Sequence, residues 1–92
     1  MARLSDSEID ERLGGLDGWE RSGDAIVKHF DNGDFKGSVD FVNGLTPVAE
    51  EMNHHPDLEI SWKTVTVTIT THSEGGLTDG DFALARRIES LD

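Results

Sequence analysis

The stretch ISWKTVTVTITT, residues 60–71, constrains the fold of this chain more than any other. Apolar and threonine residues alternate through it, which is the period-2 pattern of a strand with one buried face. The apolar set is Val65, Val67 and Ile69, and the opposite set is Thr64, Thr66, Thr68 and Thr70. We predict one strand whose apolar face packs on helices. Trp62 and His72 would share the threonine face, where Trp62 could stack on a flat heterocycle.

Helices and further strands are predicted on both sides of this segment. A helix over residues 5–13 begins with capping-box spacing between Ser5 and Glu8. Residues 18–21 and 24–30 form two strands around a turn at residues 22–23. Residues 35–53 are helical by their period of 3.6, and a last helix runs from Thr78 to about Leu91. The order indicates an α+β fold with an antiparallel sheet.

Two prolines set local limits on these elements. A proline inside a helix removes one hydrogen bond and costs about 3 kcal/mol, so we expect a kink or distorted turn at residues 44–47, around Pro47. Pro56 disfavours helical backbone at the residue before it, so the same helix should end near His55.

Composition limits the classes of function. The 92 residues fit one domain, residues 1–92, and the formal net charge of −11 disfavours nucleic acid and anionic membranes as partners. The absence of cysteine excludes disulfides and thiolate chemistry. Apolar runs are too short to span a membrane, and the first residues lack a signal-peptide core, so a cytoplasmic protein is expected. The modest core favours oligomerisation.

The acidic surface also suggests adaptation to a salt-rich cytoplasm. Only three of the eight basic residues are lysine, and about 1 M salt shortens the screening length to roughly 3 Å, which suppresses self-repulsion. The hypothesis is that the protein is halophilic. The alternative is an ordinary acidic protein.

The stretch EEMNHHPD places His54 and His55 side by side before a proline, and His72 follows the predicted strand. Adjacent side chains point in different directions on regular elements, so this pair is better suited to irregular backbone beside a cleft. Imidazole exchanges protons near neutral pH, which favours general acid–base catalysis. Three histidines could instead bind zinc, although adjacent histidines rarely direct both rings at one ion and no HExxH motif is present.

Three other residues allow both a structural and a functional interpretation. Asp81 can complete a capping box with Thr78, or it can orient a histidine by a hydrogen bond. Trp19 can belong to the core or form a platform beside a ligand. His29, within an apolar strand, has no recognisable partner, so packing or surface exposure is the simpler explanation.

Residues 49–85 resemble the signature region of the pterin-4a-carbinolamine dehydratases. The matching residues, in order, are Ala49-Glu50, Asn53, His54-His55-Pro56, Trp62, Thr71-His72, Gly76-Leu77-Thr78 and Asp81. Upstream, Gly18-Trp19 and the stretch GDAIVKHFDNGDF also resemble the family, and the similarity extends over about residues 12–91. His-His-Pro alone is a weak signal, whereas the ordered set with these spacings is specific.

The resemblance implies a four-stranded antiparallel sheet with three helices packed on one face, and a homo-oligomer, dimer or tetramer. It also implies a small-molecule pterin substrate and the dehydration of 4a-hydroxytetrahydropterin to quinonoid dihydropterin, as in 4a-hydroxytetrahydrobiopterin dehydratase, with neither metal nor cofactor. The catalytic residues carried over by motif are His54, His55, His72 and Asp81. The expected pterin contacts are Asn53, His54, His55, Thr70, Thr71, His72 and Ser73, with Trp19 flanking the pocket.

Three positions depart from the family pattern. Asn53 replaces a frequent Asp, Ser73 stands where Glu is common, and Pro47 lies in a helix that is continuous in relatives and often serves an oligomer interface. Two other functions also stay open. One is a non-catalytic pterin-binding or dimerisation module, like the animal members that assist a transcription factor, and the other is a role in molybdopterin metabolism.

Overall fold

A computed structural model describes residues 2–91 of the chain, in which helices alternate with pairs of strands. In chain order they are α1 (Asp6–Leu13), β1 (Glu20–Ser22), β2 (Ala25–Asp31), α2 (Phe35–Met52), β3 (Asp57–Ser61), β4 (Thr64–Ile69), a 3₁₀ turn (His72–Glu74) and α3 (Asp79–Glu89). Three helices and four strands confirm the predicted α+β class.

The four strands form one antiparallel sheet in the order β1-β2-β4-β3. Val65, Val67 and Ile69 of β4 are fully buried under the helices, with Phe82 of α3 in the same core. The threonines between them are only partly buried, on the face that carries no helix. The alternation of β4 therefore has the physical cause that the sequence predicted: one face packs and the other remains accessible.

The single strand predicted over residues 60–71 is wrong, because a hairpin turn at Trp62 and Lys63 divides it into β3 and β4. Trp62 takes a positive φ of 52°, it is 66% exposed, and the Lys63 ammonium lies 5.0 Å from its ring centroid. The turn is fixed from the helix layer, since buried Ser38 donates its hydroxyl to the Trp62 carbonyl at 2.8 Å. Trp62 therefore does not share a face with the threonines.

Helix α2 runs unbroken through Pro47, so residues 44–47 form no distorted turn, and the alternative of a kink there stays a prediction. Pro47 cannot donate to the Asn43 carbonyl, but both residues lie on the exposed side of the helix, where water can replace that bond. Thr46 and Val42, each one residue before Pro47 and Asn43, are joined by a side-chain bond: the Thr46 hydroxyl donates to the Val42 carbonyl at 2.7 Å. The helix ends as predicted, at Asn53, which takes left-handed backbone with φ 50°.

Helix α1 begins with the predicted capping box and is tied to the start of α3. Glu8 accepts from the Ser5 backbone at 2.9 Å while the Ser5 hydroxyl accepts from the Glu8 backbone at 3.2 Å. The Leu4 amide donates to the Leu77 carbonyl, and Arg12 pairs with Asp79 at 2.7 Å. Within residues 2–91, no helix combines the length and apolar character needed to cross a membrane.

Candidate active site

Helix α3 begins with a side-chain cap that is completely buried. Thr78 is the N-cap, its hydroxyl accepts from the Gly80 amide at 3.2 Å, and its own amide donates to Asp81 Oδ2 at 2.8 Å. Asp81 is 0% exposed. A carboxylate with no exposed surface requires donors around it, and capping supplies only part of them.

His54 supplies a further donor to Asp81. Its Nε2 lies 2.6 Å from Asp81 Oδ1, and the histidine side chain is 18% exposed. The left-handed backbone of Asn53 ends α2 and reverses the chain, while the His54 amide still donates to the Ala49 carbonyl at 3.0 Å. The end of α2 thereby directs the imidazole at the start of α3, so both interpretations of Asp81 hold at once: it caps the helix and it contacts a histidine.

Thr71 brings the segment after β4 to the same carboxylate. Its hydroxyl donates to Asp81 Oδ2 at 2.8 Å and lies 2.9 Å from the Thr78 hydroxyl. An isolated bridge between Thr71 and Gly76 holds this segment in place. We call Asp81, His54, Thr71 and Thr78 the Asp81 cluster. In it, a partly buried imidazole is held against a fully buried carboxylate, an arrangement suited to proton transfer.

The neighbouring His55 is held by a different carboxylate. Its Nε2 lies 2.5 Å from Oε2 of Glu50, and the two side chains are 57% and 68% exposed. The two rings of the His-His pair thus have separate partners, which fits the expectation that adjacent residues point apart. Sequence reasoning gave Glu50 no role. The available signals were its place in the Ala49-Glu50 part of the family pattern and its position in the last turn of α2, just before the pair.

His72 follows Thr71 directly and is exposed at the start of the 3₁₀ turn. It lines a surface cavity of about 290 Å³ together with Asp24, Ala25, Thr70, Gly75 and Gly76. The Thr70 hydroxyl donates to the Asp24 carbonyl at the same cavity. His72 thus follows directly after Thr71, which contacts the same Asp81 carboxylate as His54 does.

The other expected site residues lie at different places. Asn53 and Ser73 are exposed, next to His54 and His72 in the chain. Trp19 is buried in the core, packs edge-on against Phe30, and donates from Nε1 to Glu89 Oε1 at 2.8 Å. Glu89 is at the C-terminal end of α3, about 12 Å along the helix from Asp81. The hydrogen bond and the ring contact of Trp19 both go to residues outside the Asp81 cluster.

His29, for which the sequence indicated no functional partner, projects from the open face of the sheet. Its Nδ1 lies 2.8 Å from the Thr66 hydroxyl of the paired strand. Among residues 2–91, no three histidine, aspartate or glutamate side chains converge in a way that could hold a metal ion.

The sequence and the fold are both similar to those of known proteins. The sequence model of the family described as "Pterin 4 alpha carbinolamine dehydratase" matches residues 2–91. A protein of Roseiflexus sp. is 48% identical over 89 residues, which cover 97% of this chain and 96% of that protein. A protein of Mycobacteroides abscessus is 44% identical over 90 residues, which cover 98% of this chain and 96% of that protein. Both bear the name "Putative pterin-4-alpha-carbinolamine dehydratase".

Two solved structures resemble this fold. The Brucella melitensis protein described as a transcriptional coactivator/pterin dehydratase superposes with a TM-score of 0.91 at 37% identity, covering 96% of each chain. A pterin dehydratase-like RuBisCO assembly factor of the α-carboxysome gives 0.65 at 22% identity, covering 79% of this chain and 84% of its own, which shows the fold alone. On the family match and these identities, the chain belongs to the pterin-4a-carbinolamine dehydratase family.

Proposed function

We propose that the protein is a dehydratase that converts 4a-hydroxytetrahydropterin to quinonoid dihydropterin by histidine acid–base catalysis. The observation that carries this proposal is the contact between His54 and the fully buried Asp81. Family membership supports a pterin carbinolamine as the substrate class.

The reaction moves two protons and breaks one carbon–oxygen bond. N5 of the pterin loses its proton, its electron pair forms a double bond to C4a, and the C4a–O bond breaks. The departing hydroxyl takes up a proton and leaves as water. The protein must therefore provide a base beside N5 and an acid beside the hydroxyl, and neither step requires a change in redox state.

His54 and His72 are the proposed proton-transfer pair. His54 is largely shielded from solvent and fixed by Asp81, so its orientation is set before substrate binds. His72 is exposed beside a cavity and can reach a bound ligand. His55, which is exposed and paired with Glu50, holds the substrate in this mechanism.

The test is the rate of 4a-hydroxytetrahydropterin dehydration, measured by absorbance in high-salt buffer against the spontaneous rate. His54→Ala should lower kcat by about 100-fold or more, the usual contribution of a positioned acid–base group. His29→Ala is the matched control, because His29 makes its hydrogen bond on the open sheet face, and it should retain full activity.

A folded wild-type protein that does not accelerate the reaction would remove the enzymatic proposal. Equal rates for wild type and His54→Ala would remove the assignment of His54 while leaving the activity intact.

We also infer that the protein forms a homo-oligomer. Strand β3 lies at the edge of the sheet and all five of its residues are exposed, including Leu58 and Ile60. Such an edge with apolar side chains favours pairing with another chain. Light scattering that gives a mass of 10.1 kDa, the monomer value, in high salt would contradict this inference.

A further inference from the structure

For each hydroxyl group around Asp81, the hydrogen-bond distances determine which oxygen receives its proton. Thr71 Oγ1 lies 2.8 Å from Asp81 Oδ2 and 2.9 Å from Thr78 Oγ1. A hydroxyl carries one proton, and an ionised carboxylate can only accept. The Thr71 proton therefore belongs to the bond with Asp81, and the Thr78 hydroxyl must donate to Thr71. Both threonine protons are thus directed along one path toward the carboxylate.

This assignment determines how each oxygen of Asp81 is used. Oδ2 accepts from the Thr71 hydroxyl and from the Thr78 amide, so it is held from two directions. Oδ1 is left facing His54 Nε2 at 2.6 Å. Because the carboxylate has no proton to give, a neutral His54 must carry its own proton on Nε2. The lone pair of the imidazole is then on Nδ1.

Nδ1 of His54 is the nitrogen left for a ligand. Across residues 2–91, no side chain or backbone group forms a hydrogen bond with it. The ring is 18% exposed, so one part of it reaches the surface while Nε2 is directed at the buried carboxylate.

We propose that Thr71 is a positioning residue which, through Asp81, holds His54 in the tautomer that presents Nδ1 to the substrate. The proposal rests on the proposed function and deepens it. The family resemblance groups Thr71 with the pterin contacts, but its only hydroxyl proton is already used inside the protein. Without that hydroxyl, Asp81 keeps only one donor on Oδ2, and rotation of its carboxylate, a broad torsion, is less restricted.

The test compares Thr71→Val, which has the same shape but no hydroxyl, with Thr71→Ser, which retains the hydroxyl. Long-range ¹H–¹⁵N correlation spectra report which ring nitrogen of His54 is protonated, and the His54→Ala spectrum assigns the signal. We expect Nε2–H in the wild type and in Thr71→Ser, and a mixture of tautomers in Thr71→Val. Turnover of Thr71→Val should fall about 10-fold or more in kcat, with KM changed less than about twofold.

Two results would overturn the proposal. One is a wild-type His54 protonated on Nδ1, a measurement that needs no variant to fold. The other is a Thr71→Val protein with wild-type tautomer and kcat but a raised KM, which would make Thr71 a substrate contact. The spectra require no turnover, so a protein with the expected tautomers but no dehydration would contradict the proposed function alone.

Discussion

Replacing Asp81 with Asn tests whether the buried carboxylate organises the start of α3. The side chain keeps its size but loses its charge and one acceptor oxygen. Three donors now meet the carboxylate: His54 Nε2, the Thr71 hydroxyl and the Thr78 amide. Hydrogen bonds to a charged group contribute about 1.5–3 kcal/mol and neutral ones about 0.5–1.5, so each exchange costs about 1 kcal/mol. We expect a total loss of about 3 kcal/mol in the free energy of unfolding.

The matched control is Asp79→Asn, two residues earlier in the same helical turn. Asp79 is also acidic and near the helix N-terminus, but its side chain is 65% exposed and pairs with Arg12 at 2.7 Å. Exposed ion pairs contribute up to about 1 kcal/mol, so Asp79→Asn should lower stability by about that amount. The two variants thus separate the buried hydrogen bonds from the general effect of negative charge at a helix N-terminus.

Urea unfolding followed by circular dichroism, in one salt concentration, measures both variants. In thermal unfolding, a loss of about 3 kcal/mol in a domain of this size corresponds to a drop in Tm of about 12 °C or more. The amide introduced by Asp81→Asn would also present a donor to His54 Nε2 and favour the opposite tautomer, so kcat should fall by about 100-fold or more. Equal destabilisation by the two substitutions would refute the reasoning, since charge at the helix end would then explain everything.

Three further predictions concern the rest of the molecule. Gly37→Ala should lower the free energy of unfolding by about 2 kcal/mol, because the added Cβ would collide with the Asn32 carbonyl oxygen. Gly44→Ala in the same helix meets nothing within 4 Å and should raise it by about 0.5–1 kcal/mol. The midpoints of urea unfolding compare the two variants. Hydrogen bonds from the Ser5 backbone, and to a smaller extent from the Ser5 hydroxyl, lower the pKa of Glu8. The ionised Glu8 therefore contributes stability above the unfolded-state pKa of about 4.3. That contribution is lost as the pH falls through the lower folded-state pKa. Acid titration of unfolding should therefore be less steep in Glu8→Gln, and an unchanged profile would contradict this. With a net charge of −11, Tm should rise with potassium chloride; a flat series would end the halophilic hypothesis.

The sequence predicted the elements whose cause is local. Capping-box spacing located the starts of α1 and α3, and alternation identified the two faces of β4. The hairpin at Trp62 could not be predicted in this way, because neither Trp nor Lys is a usual turn residue. A buried serine from α2 holds that turn by its hydroxyl, and this contact crosses 24 residues of chain. The continuity of α2 at Pro47 likewise depends on which side of the helix faces water.

The sequence named the residue types that meet at the candidate site but only part of their arrangement. The sequence pattern indicated His54 as a functional residue and left Asp81 with both a capping and a functional interpretation. The resemblance then gave Asp81 the task of orienting a histidine. Neither could show that the Thr71 hydroxyl donates to Asp81. A threonine that contacts a ligand and a threonine that hydrogen-bonds a neighbouring side chain look the same in the sequence. Trp19 shows the opposite case: a residue matched by motif that the fold buries beside Glu89.

The strand order β1-β2-β4-β3 also has a consequence for the folding kinetics. The outer pairs β1–β2 and β3–β4 are adjacent hairpins and can close within microseconds. The central pair joins residues such as Ile26 and Ile69, so a loop of about forty residues, including all of α2, must close first at an entropic cost of roughly 3 kcal/mol. Every residue of the Asp81 cluster lies beyond α2. We therefore expect the rate-limiting barrier to be the joining of two preformed halves, with the whole Asp81 cluster contributed by the second.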